Sequence, residues 1–369
     1  MESTSAEFDL IVAGAGPAGS ACAITAARAG RRVLLLDKDR FPRHKVCGEF
    51  VSAESLHLLR SLLDDQHNHE FAARPGVPAA RIFLDGKSIS FPVTPAARSI
   101  PRFDLDAALV ASARQCGIRV EEGDAVRWVA QNGAQNGAFT VRTAEREFTA
   151  TAVVNATGRW SQLTQYDVAD GKKDKWIGLK AHFREQSPPH SVDLYFFSGG
   201  YCGVTPVDPQ TVNACAMVQA GAARSLEEVF AAHPELWKRS RNWRPVFSVV
   251  TTSPLYFRKP ETCDQGMLLA GDAAGFIDPF AGDGISLALH GGALAAESLL
   301  PFFAGELSLE ESQRRYHRAY LERFAPAFRN AARLRALLAV PQWIRSRLFA
   351  ILGTRPVASL IVRRTRARV

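Results

Sequence analysis

The sequence predicts an α/β fold: a Rossmann-like dinucleotide-binding domain, an inserted antiparallel β-sheet domain and a C-terminal helical tail. Three observations carry this expectation. An apolar run at residues 8–12 opens directly onto Gly14-Ala15-Gly16-Pro17-Ala18-Gly19 and then an alanine-rich segment. A second apolar run, 266–270, ends in Gly271-Asp272 ahead of another glycine-rich turn. Between them, stretches such as 192–197 and 212–218 carry the alternation of strands in an antiparallel sheet.

At 369 residues the chain exceeds the size at which one hydrophobic core stops growing, so two lobes and a tail are expected. Domain boundaries are read as follows: 1–175 for the first part of the nucleotide-binding domain, with an excursion into the substrate domain near 78–95; 176–257 for the substrate domain; 258–310 for the second part; and 311–369 for a basic helical region. A composition of 47% hydrophobic and 22% charged residues suits a globular enzyme. The six cysteines form no C-x-x-C pair and no histidine stands at zinc-ligand spacing, so neither a metal site nor a disulfide framework is expected, and a reducing cytoplasm is the expected compartment. The first residues lack a basic region followed by an apolar core, and no apolar stretch of spanning length is free of charge or proline.

Charge is uneven. Residues 314–369 hold 14 Arg, no Lys and one acid, a balance of +13 against +8 for the whole chain, which leaves −5 for the first 313 residues. Trp343, Ile344, Leu348, Phe349, Ile351 and Leu352 recur at helical spacing between arginines. That pattern suits either a helix docked on the protein with a solvated arginine face or peripheral contact with an anionic membrane. No nucleic-acid partner is expected.

In the first glycine motif, Gly14 makes a tight turn, Gly16 admits a pyrophosphate to the backbone and Gly19 lets the helix pack on the strand, with Ala18 counted among the cofactor contacts. The helix start offers free N–H groups to phosphate. Asp37, 23 residues beyond Gly14 at the end of the second strand, is placed for the adenosine ribose hydroxyls. Lys38 and Arg43 are counted with it. Alone, this motif leaves NAD and FAD open. The second element selects FAD: Asp272, after Gly271, would bond ribityl hydroxyls that NAD lacks, and Pro279, Gly282 and Gly284 would open a helix aimed at the flavin N1–C2 edge.

These two elements together resemble the flavoprotein superfamily that contains p-hydroxybenzoate hydroxylase, geranylgeranyl reductases and flavin-dependent halogenases, whose nucleotide domain is of the glutathione-reductase type. The resemblance reaches to about residue 300. It implies that Arg102, in Arg102-Phe103-Asp104-Leu105-Asp106, lies near the FAD phosphates and ribityl chain; an ion pair with Asp106 at i+4 is the other reading. Asn155-Ala156-Thr157-Gly158 keeps the turn glycine of the hydroxylases, Gly158, without their acid.

Lys45-Val46-Cys47-Gly48-Glu49 resembles a stretch of the geranylgeranyl reductases. It implies a loop beside the flavin, with Gly48 admitting the ring and Cys47 and Glu49 as candidate catalytic residues, Glu49 as an orienting carboxylate or else a loop cap. Cys47 would supply a proton to a substrate carbon, or else act as small packing. Tyr201 and Pro206, in a segment resembling the prenyl-reductase Y-x-W-x-F-P element, are the candidate substrate contacts. Gly203 and Thr205 replace two of its aromatics, which implies a wider cavity. The aromatics Tyr195, Phe196, Phe197 and Tyr201 suit either sheet packing or a substrate slot. His67 and His69 are read as a solvated turn, and residues 131–137 as a hairpin loop.

The expected activity is therefore FAD-dependent reduction of a carbon–carbon double bond in a hydrophobic or lipid-like small molecule, with NAD(P)H or a ferredoxin-like protein as external donor. The alternative is a monooxygenase that hydroxylates an aromatic or polyketide-like substrate with NAD(P)H and oxygen.

Overall fold

The computed structural model describes residues 6–132, 138–159, 163, 175–255, 257–338 and 340. Its first sheet runs in the order Cys263–Asp264, Met267–Leu269, Glu147–Asn155, Phe8–Ala13, Val33–Asp37, Arg119–Glu122. The last five pair in parallel, and the central strands are nearly continuous apolar residues because helices cover the sheet, while the edge strand Arg119–Glu122 is largely charged. Trp128–Gln131 and Phe139–Arg142 form an antiparallel pair on the Glu147–Asn155 edge, as the hairpin expectation requires. Residues 133–137 lie outside the described residues.

Helix Pro17–Arg28 packs on both Arg102–Gln115 and Gly284–Phe303. The last of these is long and apolar enough to cross a membrane by composition, yet two-thirds of its apolar window is buried inside the protein. It is a core helix. A Cβ on its Gly292 would fall 1.9 Å from Ala18 O, so these two helices touch backbone to backbone.

The second sheet has nine strands. Its main path is Arg244–Pro245, Trp176–Arg184, Thr211–Gln219, Gly200–Asp208, Ser191–Phe197, Gly76–Leu84, Lys87–Ser99 and Phe50–Val51, with Val250–Leu255 also on Trp176–Arg184. The expected excursion at 78–95 is the hairpin Gly76–Leu84 and Lys87–Ser99, and residues 50–51 join the same sheet. One pair departs from the expected antiparallel pattern. Ser191–Phe197 runs parallel to Gly76–Leu84, because those strands come from separate passes of the chain rather than from one hairpin.

Alternation divides the residues of this sheet between two faces. Leu179, Ala181, Phe183, Tyr195, Cys202, Val204, Val212, Ala214 and Ala216 form a core cluster with residues of the short helices Leu226–Ala231 and Pro234–Ser240. The intervening residues face the first sheet.

Helix Leu309–Leu338 buries Tyr316, Tyr320, Phe324, Ala327 and Ala331 in the main core, while Arg314, Arg315, Arg318, Arg323, Arg329 and Arg333 are exposed. This corrects the expected division at 311: the described part of the basic region is an amphipathic helix of the nucleotide-binding core. Residues 343–352, which carry the pattern suited to a docked helix or to membrane contact, lie outside the described residues.

Candidate active site

The first glycine turn joins the C-terminal end of Phe8–Ala13 to its helix. Gly14 sits at φ +101°, and a Cβ there would lie 2.4 Å from Ala156 O, at the end of the neighbouring strand. A Cβ on Gly19 would lie 1.7 Å from Gly14 O, so this glycine serves the turn's own packing. A Cβ on Gly16, by contrast, meets only Arg102 Nη2, at 3.8 Å. The helix start at Gly16 has no side-chain cap, which leaves its N–H groups free for an anion. The Asp37 carboxylate accepts from Ala15 N at 2.6 Å and from Asp39 N at 2.9 Å. It braces the turn, and each oxygen keeps a further lone pair for a ribose hydroxyl. Lys38 beside it is exposed.

Arg102 makes the i+4 pair of its second reading. Its guanidinium makes a bidentate pair with Asp106, at 2.6 and 2.7 Å, and this pair is buried rather than on the surface: the Asp106 side chain is fully buried. Arg43 Nη1 stands 3.2 Å from the same carboxylate, with Asp39 and Asp37 at 3.3 and 3.8 Å from its other nitrogens. Two arginines thus share one buried acid beside the glycine turn. Burial works against the charge of Arg102, but Asp106 and Cys47 outweigh it and raise its pKa. The Cys47 side chain lies within electrostatic reach of Arg102.

The second glycine element follows Met267–Leu269, which lies beside Glu147–Asn155. Gly271 sits at φ +63°, and a Cβ there would lie 2.8 Å from the Ala18 Cβ, so Ala18 and Gly271, both expected as cofactor contacts, also serve each other's packing. Asp272 remains partly exposed and faces Arg159 Nη1 at 3.6 Å. Arg159 also lies over Phe276, 4.4 Å from the ring centroid. Pro279 opens a short 3-10 turn; Gly282, at φ +77°, ends it with Phe50 alongside. Helix Gly284–Phe303 then starts without a side-chain cap. Cβ atoms on Gly48, Gly158 and Gly284 would each meet nothing within 4 Å. Open backbone at these positions, with two uncapped helix starts, is the cradle that a flavin dinucleotide needs.

Residues 44–50 cross from the first sheet to the second. Asn213 Nδ2 donates to Cys47 O at 3.0 Å, and Glu49 N to Cys47 Sγ at 3.4 Å. Glu49 has the surroundings of an orienting carboxylate. Its carboxylate is fully buried, and it accepts from Lys180 Nζ, from His182 Nε2 at 2.7 Å and from Arg102 N at 2.9 Å. Burial pushes its carboxyl up, but His182 and Lys180 prevail and hold it below the usual range. With three donors at its oxygens, Glu49 orients its surroundings. His44 stacks on Phe247 at 3.9 Å, and Phe247 also meets the His182 ring at 4.9 Å.

The face of the second sheet toward this loop grades from polar to apolar. One register row reads Ile89, Ile82, Leu194, Gly203, Cys215, Lys180 across six strands. At the usual strand spacing it is roughly 24 Å long. The adjacent rows end in His182, Asn213 and Thr205 on one side and in Met217, Tyr201 and Phe196 on the other. Phe280, from the second glycine element, meets Tyr201 at 6.0 Å and Phe196 at 6.2 Å. Tyr201 therefore lies on the sheet face toward the loop, and burial raises its pKa well above the ordinary value. Alternation divides the aromatics, and sheet packing accounts for Tyr195 and Phe197, which lie in the far cluster. Pro206 shares the alternation of Cys202 and Val204 and so falls across the sheet from Tyr201, against its assignment as a substrate contact.

His67 stands on helix Asp65–Ala72, not in a turn, and pairs with the capping residue Asp64 at 2.8 Å. Lys180, His182, Asn213, Arg159 and Asp278 were not singled out from the sequence. For the first two a signal was present: polar residues two apart within the apolar run 177–183, hence on one strand face.

A model of the FAD binding domain matches residues 7–320. Among characterised proteins, the menaquinone reductase of Mycolicibacterium smegmatis is 28% identical over 91% of this chain and 86% of its own length. A 1H-pyrrole-2-carbonyl-[peptidyl-carrier protein] brominase of Pseudoalteromonas luteoviolacea is 24% identical over 79% of this chain and 77% of its own. A geranylgeranyl bacteriochlorophyll reductase-like structure from Thermoplasma acidophilum superposes with a TM-score of 0.79 at 21% identity, covering 97% of this chain and 95% of that one, and shows the same fold. Other relatives are named digeranylgeranylglycerophospholipid reductases and a tryptophan 2-halogenase.

Proposed function

The chain belongs to the FAD binding domain family and is an FAD-dependent oxidoreductase; we propose that it reduces a carbon–carbon double bond in a hydrophobic, isoprenoid-like substrate. The observation that carries this reading is the place of Cys47: on a loop beside open backbone at Gly48, within electrostatic reach of Arg102, and tied by its carbonyl to the inner face of the second sheet. Relatives named as reductases of menaquinone and of digeranylgeranylglycerophospholipid, with about the same length of chain, support it.

In this reading Gly14, Gly16, Asp37, Lys38, Arg43 and Arg102 hold the ADP and phosphate part of FAD. Asp272 holds the ribityl chain, and Gly48, Gly158, Pro279, Gly282 and Gly284 border the ring. When bound and reduced by an external donor, FAD would supply the hydride for one alkene carbon. Cys47 gives its thiol proton to the other carbon, and water returns a proton to the sulfur, so one double bond becomes one single bond with two hydrogens added. The apolar row Ile89–Ile82–Leu194 accepts the substrate chain, with Tyr201, Phe196 and Phe280 as its aromatic border.

Stopped-flow spectroscopy of the reduced, flavin-loaded protein tests this. Anaerobic reoxidation by an isoprenoid alkene, with saturated product by mass spectrometry, is the expected result. Hydroxylated product formed only with oxygen consumption would replace the reading with the monooxygenase.

A further inference from the structure

We propose that Lys180 and His182 are positioning residues whose hold on Glu49 sets the conformation of the Cys47 turn. The proposal takes Cys47 as a site residue, as above, but is independent of the substrate.

The geometry runs through one residue. Glu49 sits at φ +59°, the left-handed region that a side chain with a Cβ enters at a cost. What holds it there is its own carboxylate, pinned by Lys180 and His182 from one strand of the second sheet and by Arg102 N from the helix start of the first. Its carbonyl is held as well, by Ile100 N at 3.0 Å. Its N–H is thereby aimed at Cys47 Sγ. The sulfur thus takes its position from a buried carboxylate two residues away.

Stability alone gives little reason for this arrangement. Burying a lysine and a glutamate costs desolvation that their attraction roughly returns, and apolar residues of similar volume would serve packing as well. The ionic version supplies direction. Lys180 and His182 lie two apart on one strand face, so their donors converge on one carboxylate from fixed backbone positions. Phe247 closes the cluster on the far side, its ring centroid 6.0 Å from Lys180 Nζ and 4.9 Å from the His182 ring. The second sheet is therefore registered against the flavin-binding sheet at the point where the Cys47 loop passes between them.

The test reads Cys47 itself. FAD-loaded protein is alkylated with iodoacetamide over a range of pH, and each cysteine is followed by peptide mass spectrometry, with exposed Cys263 as internal reference. Lys180→Met and His182→Leu should each change the Cys47 rate, relative to Cys263, by at least about fivefold and displace its pH profile. The double variant Lys180→Met/Glu49→Gln removes both charges and carries the test if a single variant does not fold. A positioning role predicts that the double variant recovers thermal stability while its Cys47 rate stays displaced, because the anchoring donor is gone. A Cys47 rate and profile equal to wild type in the folded double variant and in His182→Leu would reduce Lys180 and His182 to charge partners and overturn the proposal. No substrate enters this experiment, so it stands or falls apart from the stopped-flow result.

Discussion

Asp278 and Arg335 meet at 3.6 Å, which ties the C-terminal helix to the turn that opens the second glycine element. Asp278 caps that turn through Phe280 N and is almost fully buried, with Tyr201 also within electrostatic reach. Burial pushes its carboxyl up to about 7, against the lowering effect of Arg335. Between the ordinary aspartate range and that value, the unfolded chain has lost this proton and the folded chain keeps it. Asp278 thus draws stability down as pH rises from about 4 to about 7, by on the order of a few kcal/mol, and no further above. Asp278→Asn keeps the cap and removes the proton, so its melting temperature should exceed wild type at pH 7.5 and match it near pH 4. An equal gain at both values would mean that Asp278 does not titrate in this window.

Two glycines of one helix should separate folding from cofactor retention. Gly292→Ala drives a Cβ into Ala18 O and should cost about 1–3 kcal/mol, seen as a lower melting temperature with or without FAD. Gly284→Ala meets nothing in the protein. It should leave the melting temperature of the apoprotein near wild type and lower the flavin bound per chain in equilibrium dialysis.

Asp272→Ala should yield folded protein that retains FAD more weakly. A lost hydrogen bond or two to the ribityl chain corresponds to roughly a tenfold rise in Kd, read by quenching of flavin fluorescence. Its present neighbour, Arg159 at 3.6 Å, is partly exposed, so losing that contact alone should change stability little.

Cys47→Ser should remain yellow and lose turnover by at least about a hundredfold if the thiol is the proton donor, since a positioned acid contributes that much. Full activity in the serine variant would leave Cys47 as packing.

Gly203 is the one gap in its row: a Cβ there meets Leu194 at 3.4 Å and Cys215 O at 3.7 Å, and nothing closer. Gly203→Trp should fill the open side of the sheet face and raise KM for bulky or ring-bearing substrates at least about tenfold, with a smaller effect on a thin linear prenyl alcohol. Equal effects on both would show that the substrate does not pass this position.

The nucleotide-binding half was legible because its chemistry is local. Strand, glycine turn, helix, second strand and terminal acid follow one another within 30 residues, and Gly14 and Gly19 are dictated by contacts that a Cβ would destroy. The Gly-Asp element was legible for the same reason, and so was the alternation of the second sheet. What the sequence by itself determined is therefore the α/β fold, the FAD-binding family and most of the turn that cradles the dinucleotide.

Tertiary structure alone decided the partners of the buried charges. Glu49 and Lys180 are 131 residues apart, and only the register of the second sheet over the 44–50 loop brings them together. The same register put Tyr201 on the sheet face toward the 44–50 loop and Pro206 on the other, and parity in the Tyr195–Phe197 run divided its aromatics between the two faces. Residue type and spacing specify backbone turns, since those depend on a few adjacent dihedrals. Which side chains converge on a site depends on how strands distant in sequence pair, and a slip of one residue in that pairing would turn every one of them to the opposite face.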